Sequence, residues 1–185
     1  MLAVALLLAG CAGTTSQVRP PPDQSPSSLY PLAVGYAWSY DVDAGDGAPV
    51  LAIARVVGFE GGVAVVVTGA GSEQRYAVGP EGIRRVGQDG FLLKAPIAAG
   101  ASWQASPGVS ARIASLSERV TSDAGTFERC VLVEEQNPES GQHVLTTYCP
   151  GVGPALVISE MEVRGQKLRV TARLRGYSLD AATPE

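Results

Sequence analysis

Three cysteines and a single histidine are the side chains of this 185-residue sequence with the chemistry for covalent or metal-ligand work: Cys11, Cys130, His143 and Cys149. A structural zinc ion wants four ligands, and Cys130, His143 and Cys149 stop at three. A Ser-His-Asp triad would have to use His143, yet there is no GxSxG and no other nucleophile signature. A solvated histidine just after a hairpin loop is the better reading. Gly151-Val152-Gly153 lies between Pro150 and Pro154 without the strand, turn and helix that a phosphate cradle needs, so it reads as a turn. Glu134 and Glu135 alternate to opposite faces of a strand and cannot share one site. The expectation is therefore no catalytic residue, no metal, no cofactor and no enzyme.

Cys130 and Cys149 make sense together. In TFERCVLVEEQNPESGQHVLTTYC (126–149), a four-residue loop over 138–141, closed by Asn137 opposite Gln142, pairs residues whose numbers sum to 279. Cys130 and Cys149 have that sum. Directly opposed residues bring their Cβ atoms to ~4.5–5.5 Å, close to the ~3.5–4.5 Å that a disulfide needs. With no CxxC to suggest redox turnover, a structural bridge is expected in an oxidising compartment, contributing ~3 kcal/mol in the loop-entropy account.

Cys11 is then the odd thiol, and its surroundings explain it. Residues 1–10 are apolar throughout, too few for a bilayer span of about 20 residues but within the ~7–15 of a signal-peptide hydrophobic region. Small residues precede the thiol, and Leu8-Ala9-Gly10-Cys11 resembles the lipobox of bacterial lipoproteins. That resemblance implies acylation of Cys11, removal of the signal, and an anchor rather than a span, since each buried CH2 of an acyl chain contributes ~0.8 kcal/mol. Ala12 rather than Asp after the cysteine implies the outer membrane in that class. No Lys or Arg precedes Arg19, so a basic n-region is missing and a translation start further upstream is expected. From 12 to 28 the sequence AGTTSQVRPPPDQSPSS lacks apolar periodicity and reads as a Pro-rich tether.

The remainder must supply the folded part. With 45% hydrophobic and 17% charged residues, the composition fits one ordinary globular domain. A net charge of -4 gives no global positive field, which disfavours a nucleic-acid partner. Turn signals recur at short intervals, from Gly45-Asp46-Gly47 to Asn137-Pro138, with segments rich in Val, Ile, Thr and Tyr between them. Alternation is clear in Tyr36, Trp38, Tyr40 and Val42, and again in Leu168, Val170, Ala172 and Leu174. The run Val63-Ala64-Val65-Val66-Val67 suggests a strand covered on both sides. Residues 97–102 hold at most a helical turn, in view of Pro96 and Gly100. The expected fold is all-β: a curved antiparallel sheet of roughly nine to ten strands, closing into a half-barrel or barrel. The expected organisation is a signal over 1–10, lipidated Cys11 with its tether over 11–28, one β domain over 29–180, and a disordered tail over 181–185.

Two surface features are candidates for contact. The aromatic face of Tyr36, Trp38 and Tyr40 is either core or a ligand wall, core being the commoner fate. The stripe Arg164, Lys167, Arg169, Arg173 and Arg175 is either a basic contact face, with Arg169, Arg173 and Arg175 at its centre, or a solvated strand face paired with Glu160 and Glu162.

The stretches PLAVGYAWSY (31–40), AGTFERC (124–130) and TYCPGVGPALVISE (147–160) together resemble a group of uncharacterised bacterial envelope lipoproteins that share PLxxGxxWxY, AGTFxxC and YxxGVGxV motifs. The resemblance implies a curved antiparallel β domain and transfers no catalytic residue. Pro154-Ala155 stands where those proteins often have a hydrophobic-Lys pair. The function expected is an outer-membrane-anchored lipoprotein facing the periplasm or the cell surface, a non-catalytic module for an apolar ligand or an envelope protein partner. The alternative is a structural component of an envelope assembly with a closed, filled β core.

Overall fold

The computed structural model describes residues 23–45, 47–69, 71–163 and 165–180. Cys11, the signal residues, the first part of the tether, Arg164 and residues 181–185 lie outside them. Among the described residues a short helix α1 (Pro26–Leu29) precedes twelve strands. These are β1 (Ala37–Asp43), β2 (Val50–Glu60), β3 (Val63–Thr68), β4 (Ser72–Gly79), β5 (Gly82–Arg85), β6 (Leu93–Lys94), β7 (Ser102–Ser106), β8 (Val109–Ser122), β9 (Gly125–Asn137), β10 (Gln142–Cys149), β11 (Gly153–Val163) and β12 (Gln166–Ser178).

The strands form one antiparallel sheet in the order β6-β5-β4-β3-β2-β1-β12-β11-β10-β9-β8-β7. Each strand pairs with its sequence neighbour, except that β1 pairs with β12 and β6 and β7 are left as the edges. Twelve strands are too many for an open twisted sheet, so it curls, and the edges meet. Phe91 N donates to Gln104 O of β7 at 3.0 Å, Leu92 N donates to Ile83 O of β5 at 2.7 Å, and Trp103 Nε1 donates to Phe91 O at 2.8 Å. The segment leading into β6 is thus bonded to β5 on one side and to the edge strand β7 on the other, and the barrel is nearly closed. Gly90 permits this approach, because a Cβ there would meet the Ala105 carbonyl, and its φ of 144° also favours glycine.

Three expectations are corrected here. There are twelve strands rather than nine or ten, because β5, β6 and β7 are too short to carry a readable alternation. Residues 97–102 hold one turn bond, Ala101 N to Ala98 O, and no helix, in keeping with the single turn expected at most. β3 is not covered on both sides: Ala64 and Val66 are buried while Val63, Val65 and Val67 are half-buried on an outer face with no second layer. The fold also begins ahead of residue 29. Residues of the expected tether are capped and packed: Ser25 Oγ accepts from Ser28 N at 3.2 Å, and Pro26 opens α1, as an N-cap serine followed by proline favours. Gln24 Nε2 donates to Leu116 O and Arg129 O, both at 2.9 Å, and Gly151 N donates to Ser28 O at 2.8 Å. As expected, no long helix occurs: among the described residues α1 is the helix found, and none is long and apolar enough to cross a membrane.

The hairpin register of β9 and β10 is as expected, from Asn137 opposite Gln142 to Val131 opposite Tyr148. Cys130 and Cys149 form a disulfide with Cα atoms 4.2 Å apart, and both are buried.

Candidate functional site

Within the barrel, burial separates two ends. Hairpin loops β2–β3, β4–β5 and β10–β11 surround one end, and α1 seals it. Leu29 and Tyr30 enter the lumen there, and the Tyr30 ring lies 5.4 Å from Trp38, 5.7 Å from Tyr76 and 6.3 Å from Tyr148. Trp38 is 1% exposed and donates from Nε1 to Val152 O at 2.6 Å, while Tyr40 donates from its hydroxyl to Pro154 O at 3.1 Å. Gly153, at φ 114°, lets the indole lie flat against the backbone, since a Cβ would stand 2.8 Å from Trp38 Nε1. Burial raises the phenol pKa values of Tyr30, Tyr40 and Tyr148. Tyr76 is raised by burial too, with Arg85 pulling the other way. All four phenols are neutral at physiological pH. The aromatic face of Tyr36, Trp38 and Tyr40 therefore belongs to the core, with Trp38 buried and Tyr36 and Tyr40 partly buried against it.

The other end, ringed by the β1–β2, β7–β8, β9–β10 and β11–β12 hairpins, is open. Leu174 is fully buried, and alternation carries the same inner face of β12 through Ala172 and Val170 to Leu168. Register places Val42 beside Ala172 and Val50 beside Val42 on one side, with Met161 opposite Leu168 on the other. These inner-face side chains come out of cover. Val50 is 68% exposed, Leu168 46%, and Met161 and Val170 each 37%. Facing them is a polar wall around an open cavity of about 390 Å³, whose lining includes Arg85, Ser106, Glu135, Asn137, Gln142 and Ser159. The two walls adjoin, because Ser159 pairs directly with Val170. Arg85 of β5 reaches across the lumen to Glu135 of β9, Nη1 to Oε1 at 3.5 Å, and both side chains are largely buried. The buried Oε1 of Glu135 nevertheless accepts no hydrogen bond.

Glu134, pointing the other way, anchors a ladder of alternating charge on the outer face. Arg112 of β8 pairs with Glu134 of β9. His143 of β10 sets Nε2 2.7 Å from Glu134 Oε1 and Nδ1 3.8 Å from Glu160 Oε2 of β11, and Arg169 of β12 lies 3.5 Å from Glu160. Gln136 Nε2 also donates to Glu134 at 2.9 Å. Partial burial by itself would raise the Glu134 pKa, but hydrogen bonds with His143, Gln136 and Arg112 outweigh it and hold the carboxyl below its ordinary value. His143 is thus half-buried between two carboxylates rather than solvated, because the register sets Glu160 opposite it. Among the described residues no Ser, Thr or Cys side chain bonds to His143, and no three metal-ligating groups converge.

The basic face is occupied by its own chain. Arg169 pairs with Glu160, Arg175 Nη1 donates to Asp41 at 3.1 Å, and Arg173 Nη1 donates to Thr121 O at 3.1 Å. The last contact, with Phe127 packed at 6.0 Å on Tyr177, shows the far end of the β8–β9 hairpin folded against β12.

The residues that reading the sequence missed are Arg85 and Glu135, fifty positions apart with nothing local to link them, and Val50. Leu168 and Val170 were legible as an apolar strand face, but their exposure was not.

No protein-family model matches the chain, and no curated protein matches it. Two solved structures resemble it. One, from Bacteroides fragilis NCTC 9343, is a protein inferred to be exported and described by its YmcC-like fold; it is 14% identical, with a TM-score of 0.50 over 80% of this chain and 98% of that one. The other, a protein of Parabacteroides distasonis ATCC 8503 inferred to be a lipoprotein, is 13% identical, with a TM-score of 0.41 over 81% and 98%. At this identity the first likeness speaks for the fold: a curved antiparallel β architecture of the YmcC-like kind.

Proposed function

We propose that this chain is a lipoprotein of the bacterial cell envelope, held at the outer membrane by acyl chains on Cys11 and facing the periplasm or the cell surface. Its barrel is a non-catalytic binding module for an apolar ligand. The observation that carries the reading is the emergence of Val50, Met161, Leu168 and Val170 on the inner face of the open end, where a barrel that serves only as a scaffold would bury them. Contiguous exposed apolar surface of this kind marks ligand or partner sites. The lipobox-like LAGC and the fold shared with a protein inferred to be exported support the address.

Native mass spectrometry of the chain purified from its own envelope should show a bound lipid, absent after Val170→Asp. Protein that is ligand-free in every such preparation would overturn the reading. The address has its own test: Cys11→Ser should move the protein out of the membrane fraction and abolish palmitate labelling.

A structural role in an envelope assembly has one observation in its favour. Leu51, Ile53 and Val57 of β2, each about half exposed, form an apolar stripe on the outer face. Crosslinking through that stripe in cells would return one abundant protein partner if the assembly role is the right one.

A further inference from the structure

We infer that the outer face of β2 and β3 binds a second copy of this chain, related to the first by a two-fold axis that runs along β3 and turns both α1 ends to the same side. The contact is independent of the ligand held at the open end. Only its same-side orientation draws on the anchor at Cys11.

The face is apolar and uncovered. Leu51, Ile53 and Val57 of β2 are about half exposed, and beside them Val63, Val65 and Val67 of β3 are half-buried with no second layer over them. Contiguous apolar surface of this kind marks contact with another molecule, and the charges set in it decide which one. Pairing puts Arg55 of β2, Val67 of β3 and Glu73 of β4 on one row, since Val67 lies opposite Arg55 on one side and Glu73 on the other. Neighbouring strands are about 4.8 Å apart, so the two charges flank Val67 evenly. Both are exposed. Among the described residues Arg55 makes no ion pair. Glu73 has Arg75 at 4.0 Å, with both side chains more than half exposed, and a pair of that kind contributes little.

Half a turn about β3 exchanges the two sides of this row. Arg55 of each copy then faces Glu73 of the other, and Val65 and Val67 face their own counterparts. Ile53, whose carbonyl accepts from Gly69 N, falls over the β3–β4 turn, where Gly69 and Gly71 present no side chain. The face is thus complementary to itself, as a closed two-fold contact requires, and the strands of the two sheets stay aligned, as in face-to-face packing. A two-fold axis across the strands would set β2 on β2 and β4 on β4, so that Arg55 and Glu73 of different copies never meet. A bilayer surface would suit Arg55 but repel Glu73 from its phosphates. The axis along β3 also keeps both tethers, which join the barrel just ahead of α1, on one side. Two copies held to one membrane meet at a raised effective concentration, which favours a contact of modest area.

The test is disulfide trapping of the full chain in cells, with copper phenanthroline as the added oxidant. Val67→Cys puts a thiol at the axis, where it meets its own counterpart, and should yield a reducible species of twice the chain's mass. Leu51→Cys, which is more exposed but lies off the axis, should yield far less. In the Val67→Cys background, Arg55→Glu or Glu73→Arg should each lower trapping roughly tenfold. The two charge reversals together should restore it, a rescue that a folding defect cannot imitate. No doubled species from Val67→Cys, equal trapping through Leu51→Cys, or no rescue by the combined reversal overturns the contact. A trapped species of any other mass gives the face to a different envelope protein and overturns it as well. Trapping that survives Cys11→Ser upholds the contact even where the anchor reading fails, so the two are separable.

Discussion

The two ends of the barrel use the same alternating strands and reach opposite results. At the α1 end, inner-face positions of β1, β10 and β12 are covered, because the chain ahead of β1 turns into the lumen and lays Leu29 and Tyr30 on Trp38 and Tyr148. At the other end the same strands run past the packed core. Nothing among the described residues enters there, and Val50, Leu168 and Val170 stay exposed. The alternation of a strand states which side chains share a face. Whether that face is core or binding surface depends on what the opposite side of the lumen contributes. Aromatic rings are supplied at one end, an ion pair and amides at the other.

The largest effect that would test this contrast is Trp38→Ala. Removing a fully buried indole and its bond to Val152 should lower unfolding stability by about 3–5 kcal/mol, read from urea midpoints at unchanged m-value. A loss below 1 kcal/mol would mean that the sealed end is not the part that holds the barrel. Next is the disulfide. Cys130→Ser with Cys149→Ser should cost about 3 kcal/mol for a loop of this length, and the same loss should follow reduction of the native protein. An unchanged urea midpoint would deny the bridge its role as a staple.

A smaller and pH-dependent effect is expected at the outer ladder. The folded-state pKa of Glu134 lies below its ordinary 4.5, so its contribution is complete above that value and is lost as pH falls through the folded one. Glu134→Gln should therefore lower stability by about 1 kcal/mol near neutral pH, with the gap to the native protein narrowing as the pH falls below 4.5 and through the lowered folded-state pKa. A gap that does not narrow at all on acidification would place the effect in packing rather than charge. Least of all, Val50→Ser and Leu168→Ser at the open end should change stability by less than about 0.5 kcal/mol while weakening lipid binding. A destabilisation on the scale of Trp38→Ala would make that end part of the core and remove the contrast.

Several features were legible in the residues themselves. Leu168, Val170, Ala172 and Leu174 do share a face, and Glu134 and Glu135 do part to opposite sides, the first to Arg112 and His143 and the second to Arg85. The capped turn at Ser25-Pro26 is present in the sequence as an N-cap signal, but a run of prolines and serines around it has the composition of a spacer. Its packing depends on Leu116, Arg129 and Gly151, which lie far along the chain. The short strands β5, β6 and β7 were unreadable because two to five residues are too few for a period to repeat.

What the amino-acid sequence determined unaided is therefore local: strand faces, the 138–141 loop and the register that brings Cys130 to Cys149. Backbone geometry sets these over a few residues at a time. Tertiary structure alone decided that Arg85 meets Glu135 across the lumen, that His143 lies between two carboxylates, and that one end of a continuous apolar face is sealed while the other is open. Each of these depends on strands that are distant in the chain arriving opposite one another, and only closure of the whole sheet arranges that.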